Sequence, residues 1–386
     1  MANDSDGLDP LPVWHFPGWY VRGSDAGADA AVAAFDARND QLTKPRGALG
    51  LLEALGRRLA AIQRAALPVA RPAACLIFVS DHPVAARGVS AYPREVTRAM
   101  VANFAGGGAA ASVLCRRADV PLAIVDVGVD GGPVSLGRGA TAYRRAPVAE
   151  LPAGDLVDTD AMPPATYRAA LLAGMDAVDR VAGAGDVRVL VIGEMGIGNT
   201  TCAAAVTAAL TGADGDALAA LVGPGTGVDG AALAAKRAVV AAAVRRVRAT
   251  GPVDGHRAVQ ALGGRDLAAM MGAMARAVER RIVVIVDGYI ASASALALCT
   301  IAPAAGAGLV FGHRSREPGH RHQLEAFAAL GGGDALWARP LVELDLALGE
   351  GSGALVALPV LEAACALHAG MATFGEAAVP DREAPR

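Results

Sequence analysis

This chain has no excess of charge of either sign. Its 35 lysines and arginines against 38 aspartates and glutamates leave a net −3, so no basic field of the kind that draws a protein onto nucleic acid is present, and no acidic or basic tail stands in for one. Lysine is scarce, and arginine supplies most of the positive charge. The five cysteines, Cys75, Cys115, Cys202, Cys299 and Cys365, include no C-x-x-C pair. That pattern argues against a zinc site; they read as small buried apolar residues in a reducing compartment. His313, His320 and His322 match no standard zinc spacing and read as surface histidines or as supports behind a site, so no metal is expected. No secretory leader is expected, because the polar, acidic amino-terminal stretch has neither a basic start nor an apolar stretch after it. The most membrane-like stretch, 288–312, carries no charge. Its Ser292, Ser294, Pro303 and many small residues, with Asp287 just before it, favour a buried helix followed by a strand over a bilayer span. These absences point to a cytoplasmic enzyme with no membrane span.

What is present is one organising stretch, 187–201, VRVLVIGEMGIGNTT. An apolar, β-branched run ends abruptly in Gly193-Glu-Met-Gly196-Ile-Gly198-Asn-Thr, which predicts a buried strand, a glycine-rich turn and a helix starting near Asn199 or Thr200. Glycines let backbone N–H groups approach an anion, and the helix N-terminus adds partial positive charge, so a phosphate belongs there. Read as G-x-x-x-x-G-N-T, the turn is one residue from a P-loop, with Asn199 in the lysine position. A nucleotide monophosphate therefore suits it better than ATP. The bland alternative is that the glycines only shape a tight strand-to-helix turn.

At 386 residues the chain is long enough for one large domain and a smaller part. Helical signals at 28–36 and 49–66 precede an alternation of strand and helix. The strands are expected at 75–80, 122–129, from 187, at 282–286 and at 308–311, with a helix near 95–104. Continuous apolar strands alternating with helices imply an α/β protein with a mostly parallel sheet covered on both faces. Ligands bind beyond the carboxyl ends of such strands. Those ends are Asp81-His82, 126–128, 194–199, Asp287-Gly288 and 313–315, where polar residues collect.

Three further signals are weak alone. Gly225-x-Gly227-x-x-Gly230 matches a dinucleotide fingerprint formally, but it follows an expected helix rather than a strand and is set aside. Lys236 follows on a predicted helix, where a solvated surface lysine is the plainer reading. Glu350 lies between glycines in LGEGSGA, which suits a general base of raised pKa or, more plainly, a solvated turn residue.

The stretches KPRGALGLLE, DHPVAARGVSAYPREVT, VIGEMGIGNTT, GGRDLAAMMGA, VDGYIASASALA, SREPGH and LGEGSGALVALPVLEAA join these signals. In order and approximate spacing they resemble the nicotinate-nucleotide:dimethylbenzimidazole phosphoribosyltransferase family, over roughly Leu42 to Asp381. The resemblance implies a doubly wound α/β domain over 71–354, a smaller helical part from 41–70 and 355–386, an N-terminal extension over 1–40, and a homodimer. It implies transfer of ribose 5-phosphate from nicotinate mononucleotide to 5,6-dimethylbenzimidazole, with inversion at C1′ and no cofactor, in assembly of the lower ligand of cobalamin. By resemblance Glu350 is the base, and Glu194 lies beside the ribose and the reacting bases. Gly196, Gly198, Asn199, Thr200, Lys236, Ser315 and Gly349 fall on the phosphate and ribose side. Tyr92, Met100, Met195 and Leu348 fall at the benzimidazole pocket, although core packing is an ordinary role for Met100, Met195 and Leu348.

The chain departs from the family pattern at Pro83, after Asp-His where glycine is usual, at Ala48 in place of a serine, and at Met100 where some members carry glutamine. These departures bear on which base is accepted. A catalytically idle paralogue, binding a nucleotide or base as carrier or regulator, is the reading from another class. Retention of both Glu194 and Glu350 favours the enzyme, since a binding module needs no base. For WHFPGWY near the start, packing or a dimer contact is the only role the sequence suggests.

Overall fold

The computed structural model describes residues 11, 12, 14, 25–136, 141–331 and 338–381. Two helices, α1 (Ala26–Asn39) and α2 (Leu51–Gln63), come first. Then follow β1 (Ala73–Ser80), α3 (Val96–Gly106), α4 (Ala110–Ala118), β2 (Leu122–Gly128), β3 (Ala142–Arg145), α5 (Pro164–Ala184), β4 (Val189–Met195) and α6 (Asn199–Thr211). The remaining elements are α7 (Gly215–Leu221), α8 (Gly230–Arg248), α9 (Gly255–Leu262), α10 (Arg265–Glu279), β5 (Val283–Val286), α11 (Tyr289–Ile301), β6 (Leu309–Phe311), α12 (Pro318–Leu330) and α13 (Ser352–Gly370).

The six strands are parallel, in the order β3-β2-β1-β4-β5-β6. Strand order runs outward in opposite directions from the β1/β4 boundary, the doubly wound arrangement in which a crevice opens at the switch point. Every residue of β1 is buried, as are all four of β5. Burial on both faces is why these strands read as continuous apolar runs rather than as alternating ones. The sequence yields five strands and the structure has a sixth. β3, with the sequence AYRR, is an edge strand, exposed or half-buried, and carries two arginines, so it presents no apolar signal to read.

The charge-free stretch behaves as expected. It forms the buried helix α11, a short 3-10 turn and β6. Among the described residues, α13 is the one helix long and apolar enough to cross a bilayer by length and composition. It packs against α2, α4, β4 and β5, the placement of a core helix. At the far end of α13, the Phe35 ring of α1 stacks on His368 with centroids 3.7 Å apart. The Arg38 guanidinium donates to the carbonyls of His368, Ala369 and Met371 at 3.0 to 3.1 Å, which ties α1 to the end of α13. Trp14 packs partly buried, its ring centroid 5.5 Å from that of His256; the rest of WHFPGWY lies outside the described residues.

Candidate active site

Because all strands run the same way, their carboxyl ends share one edge, and a cavity of about 230 Å³ opens there. The end of β4 and the turn after it contribute Glu194, Met195, Gly196, Ile197, Asn199 and Thr200. Asp287 to Ile290 after β5, His313, Ser315 and Glu317 after β6, Ala347 to Gly349, Gly225, Thr226 and Tyr92 complete the wall.

The glycine turn is shaped by what lies beneath it. A Cβ on Gly196 would sit 2.3 Å from the Ser80 carbonyl oxygen and 2.8 Å from His82 Nε2, so only glycine fits. Gly198 caps α6 at φ 99°, a left-handed conformation that L side chains avoid. Both let the chain turn sharply enough to aim the first turn of α6 at the cavity, where the positive end of the helix dipole favours an anion, although the Asn199, Thr201 and Cys202 N–H groups already bond the Gly196 and Gly198 carbonyls. His82 supports the turn from below. Its Nε2 lies 3.1 Å from Asp266 Oδ2 and its Nδ1 3.3 Å from Cys202 Sγ. Burial opposes protonation of this ring, but the charges of and hydrogen bonds to Asp266 and Cys202 together outweigh it and hold the imidazole well above its ordinary pKa.

Asn199, standing in the P-loop lysine position, donates its side-chain amide to the Glu194 carboxylate. The cation comes from elsewhere. The chain has two lysines, Lys44 and Lys236, and both are buried. Lys236, on α8, donates from Nζ to Thr200 Oγ1 at 2.9 Å and to the Gly223 carbonyl at 3.1 Å, and burial lowers its pKa to about 8. It is not the solvated lysine of the plainer reading. It stands behind Thr200 rather than in the cavity wall.

The acidic groups cluster at the other side of the turn. Glu194 is buried, and burial first, then Asp266, Asp287 and Glu350, push its carboxyl well above the ordinary value. Glu350 adopts φ 66° between Gly349 and Gly351, both at φ 79°, so three consecutive residues are left-handed. This turn lies directly on β4: a Cβ at Gly193 would be 2.4 Å from the Glu350 carbonyl carbon. Asp287 accepts the Gly351 and Ala354 N–H groups at 3.2 and 2.9 Å and so anchors the start of α13. The Glu350 carboxylate itself is 5% exposed as a residue and accepts the Ala111 N–H at the first turn of α4, at 3.4 Å. Burial raises its pKa, Ala111 opposes that, and Asp287 adds to it. It is no solvated turn residue either.

Glu194, Met195, Gly196, Asn199, Thr200, Ser315, Leu348, Gly349 and Tyr92 therefore meet in one cavity. Gly198, Lys236 and Glu350 stand immediately behind its wall. Met100 does not join them: α3 turns it, half-buried, against the core. His313 and His320 are buried rather than at the surface. His320 Nδ1 accepts the Ser315 N–H at 2.8 Å, and its Nε2 lies 3.1 Å from Ser292 Oγ, so it positions Ser315. The segment set aside as a false dinucleotide fingerprint does follow a helix, α7, yet Gly225 and Thr226 from it line the cavity. Glu317 and Tyr289 are wall residues that carried no role of their own in the sequence, although SREPGH and VDGYIASASALA contain them.

A doubly wound sheet with a glycine turn at its switch point, backed by a buried lysine and faced by buried glutamates, defines an α/β enzyme that handles a phosphorylated small molecule. Comparison with known proteins narrows this. A family model described as phosphoribosyltransferase matches residues 25–379. A nicotinate-nucleotide–dimethylbenzimidazole phosphoribosyltransferase from Bradyrhizobium sp. (strain BTAi1) is 44% identical over 368 residues, covering 95% of this chain and 99% of its own. One of the same name from Pseudomonas aeruginosa (strain UCBPP-PA14) is 44% identical over 349 residues, covering 90% and 93%. The crystal structure of such an enzyme from Thermus thermophilus superposes with a TM-score of 0.80 at 41% identity, covering 92% of this chain and 99% of that one. The chain belongs to the nicotinate-nucleotide–dimethylbenzimidazole phosphoribosyltransferase family.

Proposed function

We propose that this protein transfers the ribose 5-phosphate of nicotinate mononucleotide to 5,6-dimethylbenzimidazole or a related base, releasing nicotinate and forming α-ribazole 5′-phosphate. The observation that carries this reading is the meeting of Glu194 with the glycine turn in one cavity, with Lys236 behind Thr200 on one side of the turn and Glu350 next to Gly349 on the other. The substrate phosphate rests on the first turn of α6, held by the N–H groups of Gly196, Gly198 and Thr200, by the Asn199 side of the turn and by Ser315, with Lys236 supplying charge through Thr200, while the Ile197 and Asn199 N–H groups bond Thr97 and Gly196. Gly349 closes on the ribose. The C1′–N bond to nicotinate then faces Glu194.

Nicotinate leaves with the electron pair of that bond and becomes a neutral pyridine ring, so its departure needs little acid assistance. One benzimidazole nitrogen attacks C1′ from the opposite face, and the other nitrogen gives its proton to Glu350. Attack opposite the leaving group inverts the centre from β to α. Glu194, close to C1′, stabilises positive charge on the sugar as the old bond lengthens. Tyr92, Met195 and Leu348 hold the flat base against the mouth of the cavity, with Met100 one layer behind.

A cytoplasmic homodimer, with a small helical part from 41–70 and 355–386 beside a catalytic domain over 71–354, completes the proposal. Light scattering on the purified protein reads the dimer. The function is tested by mixing the protein with nicotinate mononucleotide and a panel of benzimidazoles, purines and phenols. Nicotinate release that depends on a benzimidazole is expected; no release with any base removes the reading.

A further inference from the structure

Glu317 is the last residue before α12, and its side chain does not cap that helix. The carboxylate turns instead to the loop before α8, where Oε1 accepts the Gly225 N–H at 3.0 Å. Oε2 is buried and has no hydrogen-bond partner. The residue is only 7% exposed, yet it lines the cavity beside Thr200, Gly225 and Ser315. The opposite chain makes room for this oxygen, since a Cβ at Gly223 would lie 2.1 Å from Oε2. Lys236, on the same side, directs its ammonium to Thr200 Oγ1 and the Gly223 carbonyl.

A carboxylate oxygen removed from water without a donor is costly unless a ligand supplies one. A phosphate brings only acceptors and is repelled by it. A ribose 5-phosphate brings something else next to its phosphate, a pair of hydroxyl donors. We propose that Glu317 Oε2 accepts a ribose hydroxyl of the nucleotide, so that Lys236 and Glu317 together read phosphate and sugar and select a ribonucleotide over its deoxy counterpart. This rests on the transferase reading above and adds to it the residue that recognises the sugar.

The test compares kcat/KM for nicotinate mononucleotide and for its 2′-deoxy and 3′-deoxy analogues, in the wild type, Glu317→Ala and Glu317→Gln. Dividing the wild-type ribo-to-deoxy ratio by the variant's ratio cancels the intrinsic lability of a deoxyribosyl bond. A charge-assisted hydrogen bond predicts that this double ratio is roughly tenfold or more for at least one analogue with Glu317→Ala. Glu317→Gln keeps size and one acceptor oxygen, so about threefold or more is expected from it, and it carries the test should the alanine variant not fold. Double ratios near one for both analogues in the variants that fold overturn the proposal while leaving the transferase intact. A wild type that releases no nicotinate from the ribonucleotide removes the transferase reading and this one with it.

Discussion

At one end of the cavity the wall is backbone and buried side chains; at the other it is side chains that stand in solvent. The end proposed for the phosphate consists of the turn 196–200, whose glycines are fixed by His82 and Ser80 below, with Lys236 1% exposed behind Thr200. At the end proposed for the base, Tyr92 and Leu348 are 56% and 57% exposed, and Met100 stays back against the core. Backbone geometry cannot be retuned by single substitutions without breaking the turn, whereas exposed side chains can be exchanged at little cost to folding. On the proposed reading, the anion is then recognised by the fold, and the acceptor base by residues laid over it. Of the departures, Met100 stays with the core, whereas Pro83 lies in the segment 82–85 packed under Gly198.

The boundary between the two ends is where the comparison breaks most easily. Glu350→Gln keeps the shape of the left-handed turn but removes the proton acceptor. General-base loss costs about 10²- to 10⁴-fold, and it is expected in kcat with nicotinate mononucleotide binding unchanged. Steady-state kinetics with calorimetric titration of the nucleotide separates the two quantities. Near wild-type kcat would hand the proton to Glu194 or to solvent.

Within the phosphate end, Gly198→Val places a β-branched residue at φ 99° and sets its side chain against His82, Val84 and Ala85. Strain of this kind costs about 1–3 kcal/mol, so affinity for nicotinate mononucleotide falls by roughly 10- to 100-fold. Affinity for dimethylbenzimidazole stays the same if the two ends are independent. Titration of each substrate alone decides, and equal losses for both would merge the two ends into one.

Acidity distinguishes the ends as well. Lys236, lowered to about 8, is charged below that pH and loses its charge as pH rises through it, so kcat/KM for the nucleotide should decline above about pH 8. Glu350, raised above the usual carboxylate range, is protonated as pH falls through its raised pKa, so turnover should decline on the acid side. A pH profile of both parameters checks the assignment. Lys236→Arg, whose guanidinium does not titrate there, should remove the alkaline decline of any variant protein that still turns over.

The smallest effect belongs to the exposed rim. Leu348→Ala removes a side chain already mostly in water, and only a part of its apolar surface can be covered by a bound base. KM for dimethylbenzimidazole should rise by roughly two- to fivefold with that for the nucleotide unmoved. Initial rates at varied base concentration measure it.

Much of this was legible in the sequence because it is local. Val189 to Met195 announces a buried strand by its apolar run, and Gly193 to Thr200 announces the turn by spacing alone. Glu350 and Lys236 were weak signals alone and took on roles only through the family resemblance, since their burial is created by distant chain: Lys236 meets Thr200 across 36 residues and Glu350 meets Ala111 across 239. His82 and Asp266 are 184 positions apart, and no local pattern pairs them. Gly225 and Thr226 were hidden by a motif that suggested another ligand, and β3 by the polarity of a sheet edge.

The product itself is the most direct test of the account. Purified protein incubated with nicotinate mononucleotide and dimethylbenzimidazole should release nicotinate and form one new ribotide in equal amounts, with the α configuration at C1′ by nuclear magnetic resonance. Free ribose 5-phosphate in place of a ribotide, or a β-configured product, would contradict direct displacement by the base in this cavity.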